Sequence, residues 1–203
     1  MKQQILVIHG ANSFLEYEDY IEALQQSAKQ RKIEDFDKKG WKGNLQEALG
    51  DDYQVITPRM PNKNNARYLE WKIWLNGFID QIDENAIFIG HSMGGIFLAK
   101  YLSETKRNYK ALVLVAAPFG DGDEGKELRE SLGDFNFDDK DMLKNLADDK
   151  VTLFHSTDDP VVQYSDSDMY LTYLPHAKRV TLEGRSHCNQ ETFPEVTQLV
   201  RSL

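Results

Sequence analysis

Six short apolar runs, spread from one end of the chain to the other, constrain its fold more than any other feature. They are ILVIH (5–9), YQVIT (53–57), AIFIG (86–90), ALVLVAA (111–117), VTLFHS (151–156) and RVTLEG (179–184). Each has the length of a strand, and the apolar residues run on rather than alternate, which is the pattern of strands covered on both faces. The intervening segments carry helical spacing. Tyr68, Trp71, Leu75, Phe78 and Ile82 step by three or four, along one helical face, and Met93 to Leu102 and Pro194 to Leu203 read as helices too. Strands alternating with helices predict an α/β fold, a three-layer α/β/α sandwich on a mostly parallel central sheet with right-handed crossovers. With 203 residues, no internal repeat and no linker, residues 1–203 are expected to form one domain.

Two segments interrupt this rhythm. Residues 14–40 are rich in charge, and IEALQQSAKQRKIEDF suggests a helix followed by a break. Residues 119–149 hold FGDGDEG and two amphipathic patches, around Leu128 to Leu132 and Met142 to Leu146. Both follow a strand, so both are expected as small helical inserts over the C-terminal edge of the sheet, where open parallel sheets bind ligands.

Charge narrows the partners. The net charge is −9 and the pI about 5.1. Nucleic acid and anionic membrane surfaces both need a basic face, so neither is expected as a main partner. MKQQILVIHG lacks the long apolar stretch of a secretion signal, no run reaches membrane-spanning length, and the lone Cys188 allows no internal disulfide. The expectation is a cytoplasmic protein.

The chemistry concentrates at GHSMGG (90–95). Gly90-His91-Ser92-Met93-Gly94 matches G-x-S-x-G between a strand and a helix, the setting of a nucleophile elbow, in which strained backbone and glycines hold a serine at the sheet edge. A serine hydroxyl needs a base, and the base an orienting acid, which in this arrangement follow in the order Ser, Asp or Glu, His. Three histidines follow Ser92. His187, in the polar loop GRSHCN after the last strand, is the candidate base; His155 ends a buried strand and reads as structural, and His176 reads as a surface turn residue. His9 and His91 precede the serine and read as loop-shaping. HSTDDPVV (155–162) offers Asp158 and Asp159 as the acid. Pro160 keeps Asp159 extended, which favours Asp159 as the acid and leaves Asp158 a helper or surface role. For the oxyanion hole, one donor is the Met93 backbone N–H, and the second comes from HGAN (9–12), with Ala11 or Asn12 donating and Gly10 allowing close approach.

Taken together, HG after the first strand, GHSMGG, DDPVV and GRSHCN resemble the landmarks of the α/β-hydrolase superfamily in its order, over nearly the whole chain. The short length and the STDDPVV and GRSHCN contexts resemble the small serine hydrolases related to retinoblastoma-binding protein 9 and the bacterial YdeN-like proteins. The insert at 14–40 is longer than that group implies, and the HGGG loop of many lipases and esterases is absent. The resemblance implies a serine hydrolase acting on a small-molecule ester or thioester, without a cofactor. The competing expectation is a hydrolase-fold protein with little turnover that acts as a binding module.

Other patterns fail on inspection. DGDEG (121–125) starts like a calcium loop, but its twelfth position is Leu132, where a glutamate is required. No His/Cys cluster has zinc spacing, and GHSMGG lacks the lysine of a phosphate loop. Cys188 beside His187 is not expected to be a nucleophile. Trp71 and Trp74 are expected in the core.

Overall fold

The computed structural model describes residues 2–35, 39–120 and 132–203. The calcium-like stretch at 121–125 and most of the patch at 128–132 lie outside them. Six parallel strands form one sheet in the order β2-β1-β3-β4-β5-β6, with β1 at Gln3–Ile8, β2 at Tyr53–Ile56, β3 at Ile87–His91, β4 at Ala111–Val115, β5 at Val151–Ser156 and β6 at Lys178–Leu182. The helices are α1 (Tyr17–Gln30), α2 (Trp41–Leu49), α3 (Tyr68–Asn76), α4 (Met93–Thr105), α5 (Ser165–Tyr173) and α6 (Pro194–Ser202).

Alternation along each strand sends successive side chains to opposite faces. Leu6, Ile8, Phe88, Leu112, Leu114 and Leu153 join one core with α3, α4 and Tyr170 of α5. Ile5, Val7, Ile87, Ile89, Val113, Val115 and Phe154 join a second core with α2 and α6. Layers on both faces make the three-layer α/β/α sandwich that the strand–helix rhythm predicts. The four inner strands are buried along nearly their whole length, whereas β2 and β6 are only half-buried. Those two lie at the sheet edges, so their apolar runs carry less burial than the inner four.

Three expectations are corrected. The face expected from Tyr68 to Ile82 is not one helix: α3 ends at Asn76, and a 3₁₀ turn at Ile79–Gln81 brings Ile79 and Ile82 to the core. Trp74 is 52% exposed, because it sits one residue short of the Trp71–Leu75 face. Met142 to Leu146 does not cover the sheet edge. It forms 3₁₀ turns whose Leu143 and Leu146 enter the core beside α4, and Lys100 of α4 ties this insert down by donating to Asp134 O (3.0 Å) and Asn136 O (2.6 Å). In the other insert the expected helix is α1, but it contributes no buried residue. No helix among the described residues is long and apolar enough to cross a membrane.

The strand order matters for the site. After β1 the chain moves outward to β2, then returns to place β3 on the other side of β1. The carboxyl ends of β1 and β3 therefore diverge into loops on opposite sides, and a crevice opens between them. Ser92 follows β3 directly, at that switch point.

Candidate active site

Ser92 caps the N-terminus of α4 with φ 54° and ψ −126°, a conformation that L-residues avoid. Neighbouring backbones hold it there. A Cβ on Gly90 would come within 2.3 Å of Gly94 O, and one on Gly94 within 2.4 Å of Ile8 O. No side chain fits at either place, so glycine is the local price of bringing α4 down onto β1 and β3. Ser92 N–H donates to Val115 O at 2.8 Å. The Met93 N–H begins the helix and has no intrahelical acceptor.

The loop after β1 runs against the elbow, where a Cβ on Gly10 would stand 3.0 Å from Ser92 Cβ. His9 braces it: the ring Nδ1–H donates to Gly10 O at 2.8 Å, and Nε2 accepts from Met60 N–H at 3.0 Å. Burial lowers the His9 pKa, which keeps the ring neutral as this pattern requires. Ala11 and Asn12 both line the cavities beside Ser92, but Asn12 N–H donates to Lys63 O at 3.0 Å. An engaged amide is a poor oxyanion donor, so of the two candidates the Ala11 amide is the one left free among the described residues.

His187 lies between β6 and α6 in a strained loop: Ser186 (φ 48°) and Cys188 (φ 53°) flank it in the left-handed region. Its Nδ1 stands 2.9 Å from Asp159 Oδ2 and 3.1 Å from Oδ1. A carboxylate only accepts, so the ring carries its proton on Nδ1 and leaves Nε2 as the basic nitrogen. The Asp159 side chain is fully buried, and its Oδ1 also accepts from Val161 N–H (2.8 Å) and Val162 N–H (3.0 Å). His155 closes the same loop by donating from Nε2 to Val162 O at 2.9 Å; burial lowers its pKa and keeps it neutral beside Asp159. Asp158 is exposed and turned elsewhere. It accepts from the Ser156 hydroxyl and from Ser186 N–H, and so ties the loop after β5 to the loop that carries His187. His176 is far from this chemistry, on the surface against Asp148.

Two further neighbours belong to the site, His91, which the sequence marks only as loop-shaping, and Lys42, which it does not mark. His91 precedes the serine and is buried, with its pKa held well below the ordinary value by burial and then by Lys42. Its Nε2–H donates to His187 O at 2.8 Å, and its Nδ1 faces Lys42 Nζ at 3.4 Å. Lys42, in the first turn of α2, is itself pushed down to about 8 by burial. Nothing local marks it, because α2 reaches the site only through the second core. Cys188 is buried, and desolvation pushes its thiol up to about 12, which removes it as a nucleophile at neutral pH.

The site has two chambers. A cleft of about 950 Å³ is bounded by Ser92, His187 and the loops after β1 and β2. A recess of about 190 Å³ opens beside Ser92 and is lined mainly by apolar groups, including Phe14, Met93, Pro118, Leu132, Val161 and Val162. Among the described residues no hydrogen bond joins the Ser92 hydroxyl to the His187 ring, a separation that often closes only with substrate in place.

Three comparisons agree with this architecture. The serine hydrolase family model matches residues 33–201. Serine hydrolase RBBP9 of Rattus norvegicus is 30% identical over 169 residues, covering 81% of this chain and 86% of its own. Among solved structures, the ydeN gene product of B. subtilis matches with a TM-score of 0.66 at 16% identity, covering 99% of this chain and 98% of its own. Est1E from Butyrivibrio proteoclasticus matches at 0.59 and 16%, covering 99% of this chain and 86% of its own.

Proposed function

This chain belongs to the serine hydrolase family and has the α/β-hydrolase fold, and from that premise we propose that it cleaves an ester or thioester of a small acyl group through Ser92, His187 and Asp159. The observation that carries the reading is the His187–Asp159 pair, at 2.9 Å, on the same crevice as a serine held at φ 54° on a helix N-terminus. In the first half-reaction Ser92 Oγ attacks the carbonyl carbon while His187 Nε2 takes its proton. The oxyanion accepts from the Met93 and Ala11 backbone N–H groups, aided by the positive end of α4. As the tetrahedral species collapses, His187 returns the proton to the departing alcohol or thiol, leaving an acyl-Ser92. His187 then deprotonates a water that attacks the acyl carbon, and the same steps in reverse free Ser92. Asp159 holds the imidazole tautomer and stabilises its charged form throughout. The recess of about 190 Å³ is smaller than the roughly 300–1,000 Å³ of pockets that enclose a drug-sized ligand, which suits a short acyl chain.

A fluorophosphonate probe tests this directly. It is expected to label Ser92 and to abolish hydrolysis of short-chain esters, while Ser92→Ala stays folded and unlabelled. Labelling that survives in Ser92→Ala overturns the assignment.

A further inference from the structure

The two chambers beside Ser92 differ in charge, and the position of the base assigns them to the two halves of a substrate. His187 lines the cleft and not the recess. The atom it protonates, which belongs to the departing alcohol or thiol, therefore lies on the cleft side. The acyl chain is left with the apolar recess. Resting on the acyl-transfer reading above, we propose that the departing half of the substrate carries an anionic group, a carboxylate or a phosphate, that is bound in the cleft by Lys42, Arg59 and Lys63.

The lining of the cleft carries the argument. The whole chain has 33 acidic against 24 basic residues. Yet the described residues lining the cleft include Lys42, Arg59 and Lys63 and not one carboxylate. None of the three forms an ion pair among the described residues, and the polar partner of Lys42 is the neutral imidazole of His91. Among the described residues, their charges are thus available to a ligand. They also approach from separate elements, Lys42 on α2 and the other two on the loop after β2. That loop is held in place over the site by Met60 N–H on His9 Nε2 and by Asn12 N–H on Lys63 O. Asn12, Asn62, Asn64 and Asn189 add neutral amides to the same walls. An arginine and two lysines around one concavity, Arg59 and Lys63 exposed and Lys42 half-buried, favour a carboxylate or phosphate by charge-assisted hydrogen bonds, and an otherwise acidic surface repels such anions elsewhere. Among the described residues the recess offers no cation, so a charged acyl chain placed there loses hydration without a partner among them.

Matched esters provide the test. 3-(Butanoyloxy)benzoate and 3-(butanoyloxy)phenyl phosphate carry the anion on the departing half. The methyl ester of the former is neutral, and phenyl hydrogen glutarate, ionised, carries the anion on the acyl half. With kcat/KM normalised to each compound's alkaline hydrolysis rate, one or both of the first two are expected to exceed the neutral ester by about tenfold or more at low salt. Whichever leads identifies carboxylate or phosphate. The glutarate is expected to show no such advantage. Arg59→Gln/Lys63→Gln should bring the preference to within about twofold, and added salt should erode it, whereas Lys29→Gln on exposed α1 should leave it intact. A wild-type ratio of one or less, a ratio that survives the double substitution, or an equal gain for the glutarate overturns the proposal. Calorimetric titration of Ser92→Ala with 3-hydroxybenzoate, 3-hydroxyphenyl phosphate and methyl 3-hydroxybenzoate asks the same question without turnover. If no ester is hydrolysed, the catalytic reading falls. The anion preference is still judged here: neither anion binding more tightly than the neutral phenol overturns it.

Discussion

Around Ser92 the chain is positioned by backbones pressed against one another; around His187 it is positioned by hydrogen bonds. At the elbow, Gly94 lies so close to the end of β1 that an added methyl would overlap Ile8 O and His9 O, at 2.4 and 2.7 Å. The His187 loop touches its supports through polar atoms: Asp159 on the ring, His91 Nε2–H on the His187 carbonyl, and Arg185 N–H on Ser156 Oγ at 3.1 Å. A steric device is short in sequence and tolerates nothing larger. A hydrogen-bonded one is assembled from distant segments and can lose a member without losing its shape. Substitutions on the His187 side are therefore expected to alter chemistry while sparing the fold, and substitutions of the elbow glycines to disturb the fold itself.

The largest effect expected is on the polar side. Asp159→Asn keeps an oxygen for the Val161 and Val162 amides but turns the wrong nitrogen of His187 toward the substrate. Steady-state kinetics should show kcat reduced by about 10⁴, with thermal unfolding little changed. An Asp159→Asn protein that unfolds instead would break the contrast. Next is Gly94→Ala, which should lower stability in denaturant titration by about 3 kcal/mol or more, since the obstructing atoms are backbone. A stable Gly94→Ala protein would show that α4 can withdraw from β1, and would place the elbow among the adaptable parts.

Lys42 sharpens the comparison through pH. Burial lowers its pKa from the ordinary 10.5 to about 8. Below about pH 8 both folded and unfolded chains hold the proton, and folding carries the full desolvation cost. Between 8 and 10.5 the unfolded chain alone remains protonated, so stability rises with pH until the cost has gone. Lys42→Met is therefore expected to stabilise the protein on the order of 2 kcal/mol below about pH 8, with the gain fading toward pH 10.5, as read from denaturant titrations across that range. A gain independent of pH would assign the effect to packing instead. The smallest change expected is Asp158→Asn, which preserves an acceptor for Ser156 and Ser186. It should cost kcat/KM only a few-fold, on the scale of one neutral hydrogen bond; a loss rivalling that of Asp159→Asn would make the tie between the two loops part of the chemistry.

What could be read from the sequence divides along the same line. GHSMGG is legible because the elbow is local: strand, turn and helix meet within a dozen residues. His187 and Asp159 are nominated by chain order and by Pro160, and the structure brings them into contact across 28 residues. Lys42, Arg59 and Lys63 carry no such mark. They converge because α2 packs on the second core and because His9 and Asn12 bind the loop after β2, and neither contact leaves a periodic trace. Trp74 reads as core from the sequence for a related reason, since an aromatic one step off the buried face looks like core until the helix phase is known. Asn12 could not be separated from Ala11 without the carbonyl of Lys63, 51 residues away.

Cys188 turns the loop that carries His187 into its own reporter. It is the one thiol of the chain, it is wholly buried, and it sits next in sequence to the candidate base. An alkylating reagent can reach it only when that segment opens, so in the native protein the labelling rate counts openings of the loop. Protection by a bound ligand, or its loss in a variant, then becomes a measure of how often the imidazole leaves its post, obtained with iodoacetamide and a mass spectrometer and with no substrate in hand.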